Sequence, residues 1–392
     1  AHVPCLYPLC FETYLMIMTV LQRYAGEPLR PSPHIVVLGS CKLGNFVVST
    51  PVLTGLRRRF PDSCIGFVGS SVTQDFESAH TAIDWRVSWD DVSSNAGLQL
   101  LRCLEERQTL HGRVSLAINL DGFNPITCAI ASWLRPVYVA GGSYSQNMRT
   151  LLPWGDMPQQ RFLADSDWDS PEFLERYKDF FTSNYIAELF CQLAFVADYV
   201  DPCDIELPSV IPDHFVPDIL IHCTTARSAK IWPFDYWKLV VDYAFEMGLS
   251  VGLVGSPPQA QRDSYNAGEG EEWLLNQTQL IDLRGQTTLI QLAGACLQAK
   301  AVISVDAGPL HVAAAVGTAT YALVGNDING VGASPVRLWL PRGDNVSRSV
   351  ALETCHECSS RRLQRCVRPL LILLSHDFQR YSSQHPYGMQ SS

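Results

Sequence analysis

The sequence predicts an α/β protein built from two consecutive halves, each a doubly wound parallel sheet covered by helices. Short β-branched runs alternate with helix-length amphipathic segments over residues 34–141, and the same alternation restarts over 219–325. Between them, residues 201–218 carry four prolines and no hydrophobic periodicity, a pattern typical of an interdomain linker. We therefore expect two Rossmann-like domains facing a central cleft, with ligands bound at the carboxyl ends of the strands.

The N-terminal half contains four clear strand patterns. Predicted strands are residues 34–39, 64–69, 113–120 and 136–141, and predicted helices are residues 51–60, 95–108, 124–134 and 183–198. Thr50 is expected to cap the first of these helices, because Pro51 suits the first helical position. The preceding stretch, "LGSCKLGNFVVSTP", is interpreted as a strand end and a glycine loop. Such loops hold phosphates or present a catalytic side chain, and Asn45 follows the glycine at position 44 where a carboxylate is expected.

The C-terminal half repeats the alternation. Predicted strands are residues 219–223, 250–255, 280–285, 301–306 and 319–325, and predicted helices are residues 234–247, 287–299 and 308–317. We expect five regions: an N-terminal helical extension (1–33), a first Rossmann-like domain (34–200), the linker (201–218), a second Rossmann-like domain (219–345) and a cysteine-containing segment with a helix (346–392).

Composition excludes several classes of protein. The chain has 392 residues and a net charge of −10, and its only basic run is Arg57–Arg59, so a general nucleic-acid binder is not expected. No apolar run is long enough to span a membrane. The stretch "CFETYLMIMTVLQRY" (10–24) is predicted to be an amphipathic helix and not a signal peptide, packing on the domain in preference to a partner or a membrane surface. The thirteen cysteines favour a reducing compartment, which predicts a cytoplasmic protein that could associate peripherally with a membrane.

The stretch "VISVDAGPLHVAAAVG" (302–317) is the sharpest local signal for a site. A strand ends at Asp306, a glycine turn follows, and a helix begins near Gly308. The free N–H groups and the dipole of that helix would attract an anion, and His311 lies one turn further on, within reach of the same ligand. A capped turn without ligand, with Asp306 as the helix cap, is the alternative.

A second signal is "IHCTTARSAKIWPFDYWKLV" (221–240). Thr224 and Thr225 directly follow a predicted strand, and Lys230 lies in the loop before the next helix. Two hydroxyls and one lysine suit a diphosphate, with the lysine acting as a point charge. The alternative is a solvated loop lysine.

These stretches resemble glycosyltransferase family 9, the ADP-heptose heptosyltransferases. "LGNFVVSTPVLTGLRRRFPDSCIGFV" is similar to the first βαβ unit of that family, "CTTARSAKIWPFDYW" to its nucleotide loop, and "SVDAGPLHVAAAVGTATYALVGNDI" to its third conserved segment. The resemblance implies the GT-B fold, with the acceptor in the N-terminal half and the nucleotide-sugar donor in the C-terminal half. It implies donor binding by Thr224, Thr225, Lys230, Asp306, Ala307, Gly308 and His311.

The resemblance also implies an activity. It is inverting transfer of a heptose-type sugar from ADP-heptose to a hydroxyl of a glycan, a protein or a natural product, without a cofactor in catalysis.

Two positions depart from the family pattern. Ala307 stands where relatives usually have Thr, and Asn45 stands where the resemblance places the catalytic Asp. An amide cannot accept the acceptor proton at neutral pH, so Asp121 is the first candidate for a substitute base. A catalytically silent nucleotide-sugar-binding relative or scaffold, or an enzyme using another nucleotide sugar, are the alternatives.

Three cysteines, Cys355, Cys358 and Cys366, cluster near the end of the chain. Family members of one subset are thought to bind iron through four cysteines, and His356 or a distant cysteine would have to supply the fourth ligand here. The cluster could hold a structural zinc or iron ion or consist of free thiols, and a disulfide is the third alternative.

Overall fold

The computed structural model describes residues 21–91, 96–225, 230–260, 268–325 and 336–350. Two compact units divide the chain. The N-terminal unit comprises Ala1–Cys41, Val52–Ser166 and Phe190–Asp201, and the C-terminal unit comprises Lys42–Pro51, Asp167–Leu189 and Pro202–Ser392. The first turns of the first helix therefore group with the C-terminal unit.

The N-terminal unit contains a parallel sheet of six strands in the order β1-β6-β5-β2-β3-β4. Its strands are β1 (Gln22–Arg23), β2 (His34–Leu38), β3 (Cys64–Gly69), β4 (Trp85–Ser88), β5 (Val114–Asn119) and β6 (Tyr138–Gly141). Strands β2 and β5 are buried along their length, as expected for a parallel sheet covered on both faces. The strand order reverses between β2 and β5, so the loops that follow these two strands are the expected ligand-binding loops.

Seven α-helices precede the second sheet among the described residues. They are α1 (Leu43–Arg59), α2 (Gln74–Ala79), α3 (Ala96–His111), α4 (Pro125–Trp133), α5 (Pro158–Arg161), α6 (Phe173–Tyr177) and α7 (Ile186–Leu193). Helix α4 begins as predicted. The Asn124 side chain accepts a hydrogen bond from the N–H of Ile126, and Pro125 occupies a first-turn position that needs no donor.

Helix α1 differs from the prediction at its start. It begins at Leu43 and contains Pro51, so the predicted start at residue 51 with Thr50 as N-cap is wrong. Pro51 has no N–H for the Val47 carbonyl, four residues earlier. The Thr50 hydroxyl donates to that same carbonyl at 2.9 Å, which supplies a partner that proline cannot. Gly44 and Asn45 consequently lie in the first turn of a helix and not in a loop.

The C-terminal unit contains a second parallel sheet of six strands, in the order β12-β11-β10-β7-β8-β9. Its strands are β7 (Ile219–His222), β8 (Val251–Leu253), β9 (Ile281–Asp282), β10 (Ala301–Val305), β11 (Thr320–Val324) and β12 (Val346–Val350). Its later helices are α8 (Phe234–Glu246), α9 (Gly268–Gln277), α10 (Leu289–Gln298), α11 (Gly308–Ala315) and α12 (Val336–Trp339). The order reverses between β7 and β10, which are the strands that precede the two motifs with Lys230 and Asp306.

The core of the C-terminal unit lies between this sheet and α8. Trp237 on α8 is fully buried, and Trp232 just before the helix is 5% exposed. Their rings meet edge to face at 5.1 Å. Both tryptophans therefore pack in the core.

Three strands lie where the sequence analysis predicted none. They are β1, β4 and β12, which are short or at the edge of a sheet. Strand β1 corrects the expected helix over 10–24, since Gln22 and Arg23 pair with β6; residues 1–20 lie outside the described part.

Over 201–218 no helix or named strand is present, and the Val210 N–H donates to the Ile290 carbonyl on α10. No helix in the described ranges has the length and apolarity to cross a membrane.

Candidate functional site

The turn between β10 and α11 leaves a helix start without a capping side chain at its N-cap position. That position is Ala307, which has extended backbone angles and no side-chain cap. The predicted alternative of Asp306 as the helix cap is therefore wrong. The first N–H groups of a helix have no partner inside the helix and carry its positive dipole end. This turn retains the arrangement that attracts an anion.

Lys230 and Asp306 form an ion pair at this turn. Lys230 Nζ lies 2.7 Å from Asp306 Oδ2, and the two side chains are only 15% and 12% exposed. The structure thus brings together the two stretches that the sequence analysis singled out separately. Lys230 is not the solvated loop lysine of the alternative, because its ammonium is held beside the strand that leads into α11.

His311 is buried beside this pair. The residue is 5% exposed, and its Nδ1 has no hydrogen-bond partner in the described part of the chain. Burial lowers the pKa of His311 to about 4, with the Asp306 charge acting to raise it and the Lys230 charge acting to lower it. The imidazole is therefore neutral at pH 7.

The first turn of α1 packs against the first turn of α11. A methyl group added at Gly308 would lie 2.7 Å from Leu43 Cδ2, and one added at Gly44 would lie 2.7 Å from His311 Cδ2. Neither distance is compatible with a real side-chain carbon, so both glycines permit an approach that other residues would prevent. All four residues belong to the C-terminal unit.

Thr224 and Thr225 follow β7 and are buried, at 1% and 8% exposed. Thr224 lies beside the carboxylate of Glu271. The pKa of Glu271 is raised by burial, and hydrogen bonds from Arg284 and Thr224 offset part of that rise. The Thr224 hydroxyl is thereby directed toward a buried ion pair, in which Arg284 Nη1 and Glu271 Oε2 are 3.1 Å apart.

The two candidate bases lie in different units. Asn45 is half-buried in the first turn of α1, in the C-terminal unit, and Asp121 follows β5 in the N-terminal unit. Asp121 Oδ2 accepts a hydrogen bond from Asn124 at 3.0 Å, and its N–H donates to the Asn119 side chain at 3.1 Å. These bonds hold the Asp121 carboxylate at the carboxyl end of its strand.

Comparison with known proteins agrees with this geometry. Residues 204–347, which span both motifs with Lys230 and Asp306, match the model of glycosyltransferase family 9 (heptosyltransferase). These residues are similar to glycosyltransferase family 9. The predicted resemblance to this family is thereby confirmed. No curated protein sequence matches the chain at a comparable significance.

Solved structures of a family 9 glycosyl transferase and of two heptosyltransferases share the fold. A glycosyl transferase family 9 protein from Veillonella parvula DSM 2008 has a TM-score of 0.59 at 18% identity, covering 88% of this chain and 99% of its own. E. coli ADP-heptose lps heptosyltransferase II has a TM-score of 0.56 at 16% identity, covering 87% and 99%. E. coli heptosyltransferase WaaC with ADP has a TM-score of 0.56 at 15% identity, covering 86% and 99%. The predicted GT-B class, with two Rossmann-like parallel sheets, is confirmed.

The structure adds residues to the candidate site that the sequence analysis did not single out. Glu271 and Arg284 form an ion pair beside Thr224. Leu43 and Gly44 pack on the start of α11. The sequence carries a signal for Arg284, a charged residue inside the predicted strand 280–285 that needs a partner if it is buried. Nothing in sequence spacing indicates the second contact, since residues 44 and 311 are brought together only by the fold.

No group of His, Cys, Asp and Glu residues that could hold a metal ion occurs in the described ranges. The cysteine cluster at Cys355, Cys358 and Cys366 lies outside those ranges. The expected zinc or iron site therefore stays a prediction.

Proposed function

We propose that the protein transfers a heptose-type sugar from a nucleotide donor, ADP-heptose, to a hydroxyl group of an acceptor, with inversion at the anomeric carbon. One observation carries the proposal. The Lys230–Asp306 pair stands at the uncapped start of α11 beside neutral His311, which combines a fixed cation with helix N–H groups. The similar E. coli heptosyltransferase WaaC was solved with ADP, and this favours ADP as the nucleotide.

In the proposed reaction, the acceptor hydroxyl loses its proton to a base and attacks the anomeric carbon from the face opposite the diphosphate. The bond from that carbon to the diphosphate oxygen breaks, and its electron pair leaves with ADP. Lys230 and the N–H groups at Gly308 meet the growing negative charge. Asp306 holds the Lys230 ammonium in place, so little reorganisation is needed during the reaction. Thr224, Thr225, Ala307 and His311 would line the same donor site.

The donor is tested by titrating the protein with ADP, UDP and GDP in a calorimeter. We expect ADP to bind and the other two diphosphates to bind at least about tenfold more weakly, which corresponds to about 1.4 kcal/mol. Preferential binding of UDP or GDP would support another nucleotide sugar on the same fold. Absence of binding by all three would overturn the assignment of Lys230 and Asp306 to a donor site.

The base is tested by two substitutions assayed with saturating donor and a panel of glycan, peptide and small-molecule acceptors, read by product mass. If Asp121 is the base, Asp121→Asn lowers the transfer rate by about 10²–10⁴. Asn45→Asp then has little effect or is harmful. The opposite pattern, a gain of that size in Asn45→Asp, would show that residue 45 is the base position and that Asp121 is not the substitute.

A catalytically silent nucleotide-sugar-binding protein is the second candidate. It is favoured by one observation, the absence of any acidic residue in the first turn of α1, where Asn45 lies. ADP binding without product from the parent or from Asn45→Asp, with any acceptor of the panel, would support this candidate.

For the cysteine cluster we propose a structural zinc or iron ion held by Cys355, Cys358 and Cys366, with no cofactor in catalysis. The purified protein is expected to carry about one equivalent of metal, and Cys358→Ser is expected to remove it. Elemental analysis without metal, together with ready alkylation of all three thiols, would favour free cysteines. No disulfide joins two of the eight cysteines in the described ranges, as is usual for a protein of a reducing compartment, and we propose that the protein is cytoplasmic.

A further inference from the structure

Asn119 ends strand β5 with a fully buried amide. The side chain has a hydrogen-bond partner on each side. Its Oδ1 accepts a hydrogen bond from the N–H of Asp121 at 3.1 Å, and its Nδ2 donates to the carbonyl of Gly142 at 2.8 Å. These partners fix the orientation of the amide, because an N–H needs an oxygen and a carbonyl needs an N–H. Asn119 therefore ties the turn that carries Asp121 to the loop after β6.

The turn and the loop are also in direct backbone contact. A methyl group added at Gly142 would lie 1.9 Å from the Gly122 carbonyl oxygen, and one added at Gly141 would lie 2.1 Å from the Asn119 carbonyl oxygen. Gly141 also has a φ of +80°, which residues with a side chain rarely adopt. Both glycines are required for this close approach, and the approach brings the Gly142 carbonyl within hydrogen-bond distance of the Asn119 amide.

The loop after β6 is itself held in place. The Gly141 N–H donates a hydrogen bond to Gln160 Oε1 at 3.0 Å, and Gln160 is fully buried. The Gly141 carbonyl accepts a hydrogen bond from the guanidinium of Arg23 on β1. Because both polar backbone groups of Gly141 are bonded, the neighbouring Gly142 carbonyl is a fixed anchor for Asn119.

The turn in turn places the carboxylate of Asp121. The Asp121 carbonyl accepts hydrogen bonds from the Asn124 N–H and from the Thr127 hydroxyl, each at 2.9 Å. Asp121 Oδ2 accepts a hydrogen bond from the Asn124 side chain at 3.0 Å. The bond from Asn119 goes to the backbone of Asp121, so Asn119 acts on the position of the carboxylate and takes no proton itself.

We infer that Asn119 is a positioning residue for the reaction, which fixes the backbone of Asp121 so that its carboxylate is aimed at the acceptor hydroxyl. This inference rests on the proposed function, with Asp121 as the base. A general base must lie within about 2.6–3.2 Å of the hydroxyl whose proton it takes, and a misplacement of about 1 Å can cost about 10²-fold in rate. A buried amide bonded on both sides provides that precision.

The test is a double-mutant cycle of Asn119→Ala and Asp121→Asn, assayed with ADP-heptose and the acceptor of the panel that the parent uses. We expect Asn119→Ala to lower kcat about 10–100-fold in the parent and less than about twofold in Asp121→Asn, because the base that it positions is then absent. The KM for ADP-heptose should change less than about twofold, since the donor motifs belong to the other unit. A purely structural role would lower kcat by the same factor in both backgrounds, and that result would overturn the inference.

Ser115→Ala is the matched control. Ser115 is a buried residue near the other end of β5, and its Oγ accepts a hydrogen bond from Arg30 Nε at 3.0 Å. The variant therefore loses one hydrogen bond of a buried side chain in the same strand, away from the turn of Asp121. We expect its kcat to equal that of the parent. An equal loss of kcat in Ser115→Ala and Asn119→Ala would contradict the inference.

Hydrogen exchange followed by mass spectrometry measures the positioning independently of activity. In Asn119→Ala the Asp121 N–H loses its acceptor, so peptides covering residues 120–124 should exchange at least about tenfold faster than in the parent and in Ser115→Ala. Unchanged exchange would overturn the inference even where kcat falls. Failure of the proposed function gives a different result: a parent without transfer, or Asp121→Asn with the kcat of the parent, would overturn the assignment of Asp121 as the base, and the inference with it.

Discussion

Lys230 is the residue on which the proposed donor site depends most. Its ammonium is paired with Asp306 in a largely buried setting, and charge-assisted hydrogen bonds of this kind contribute about 1.5–3 kcal/mol. Lys230→Ala should weaken ADP binding at least about tenfold, because it removes the cation and leaves Asp306 to repel the phosphates. Lys300→Ala is the control: Lys300 pairs with Asp218 at 2.9 Å but is 68% exposed, so its loss should leave ADP affinity unchanged and cost less than about 1 kcal/mol of stability. Equal ADP affinity in both variants would contradict a phosphate role for Lys230.

Helix α1 shows how an element tolerates a residue that should break it. The Thr50 hydroxyl donates to the Val47 carbonyl at 2.9 Å, in place of the N–H that Pro51 lacks. Thr50→Val should lower the free energy of unfolding by about 1 kcal/mol, the usual value of one buried hydrogen bond. The same substitution made in a Pro51→Ala background should cost less, because the introduced alanine supplies its own backbone N–H. Urea unfolding of the four proteins measures this coupling, and identical costs in both backgrounds would contradict the compensation.

The stability of the whole molecule should depend on pH through its buried histidines. Burial lowers the pKa of His34, His80, His222 and His311, to about 4 for His80 and His311. Because their folded pKa values lie below the unfolded value of about 6.5, the unfolded chain binds more protons, and stability falls as pH drops from about 6.5 toward 4. Glu77 and Glu271 have raised pKa values and act in the opposite direction.

We expect chemical denaturation to show a lower free energy of unfolding at pH 5 than at pH 7.5. His80→Asn should remove about 2 kcal/mol of this difference, whereas an unchanged difference would show that His80 is not held neutral.

The sequence by itself determined the two α/β halves, most central strands, the order of the motifs and the family resemblance. Buried parallel strands such as β3 and β10 are short, mostly apolar runs that contain valine and isoleucine, so local composition is sufficient to predict them. Only the tertiary structure decided the start of α1, since Pro51 is a helix-start signal locally and is accommodated by one hydroxyl inside a helix. It also decided the edge strands β1 and β12, whose short segments become strands only by pairing with β6 and β11. The same reason separates the parts of the site. Lys230 and Asp306 could each be predicted from a strand-to-helix turn, but the contact of Gly44 with His311 joins residues far apart in the chain, and only their packing reveals it.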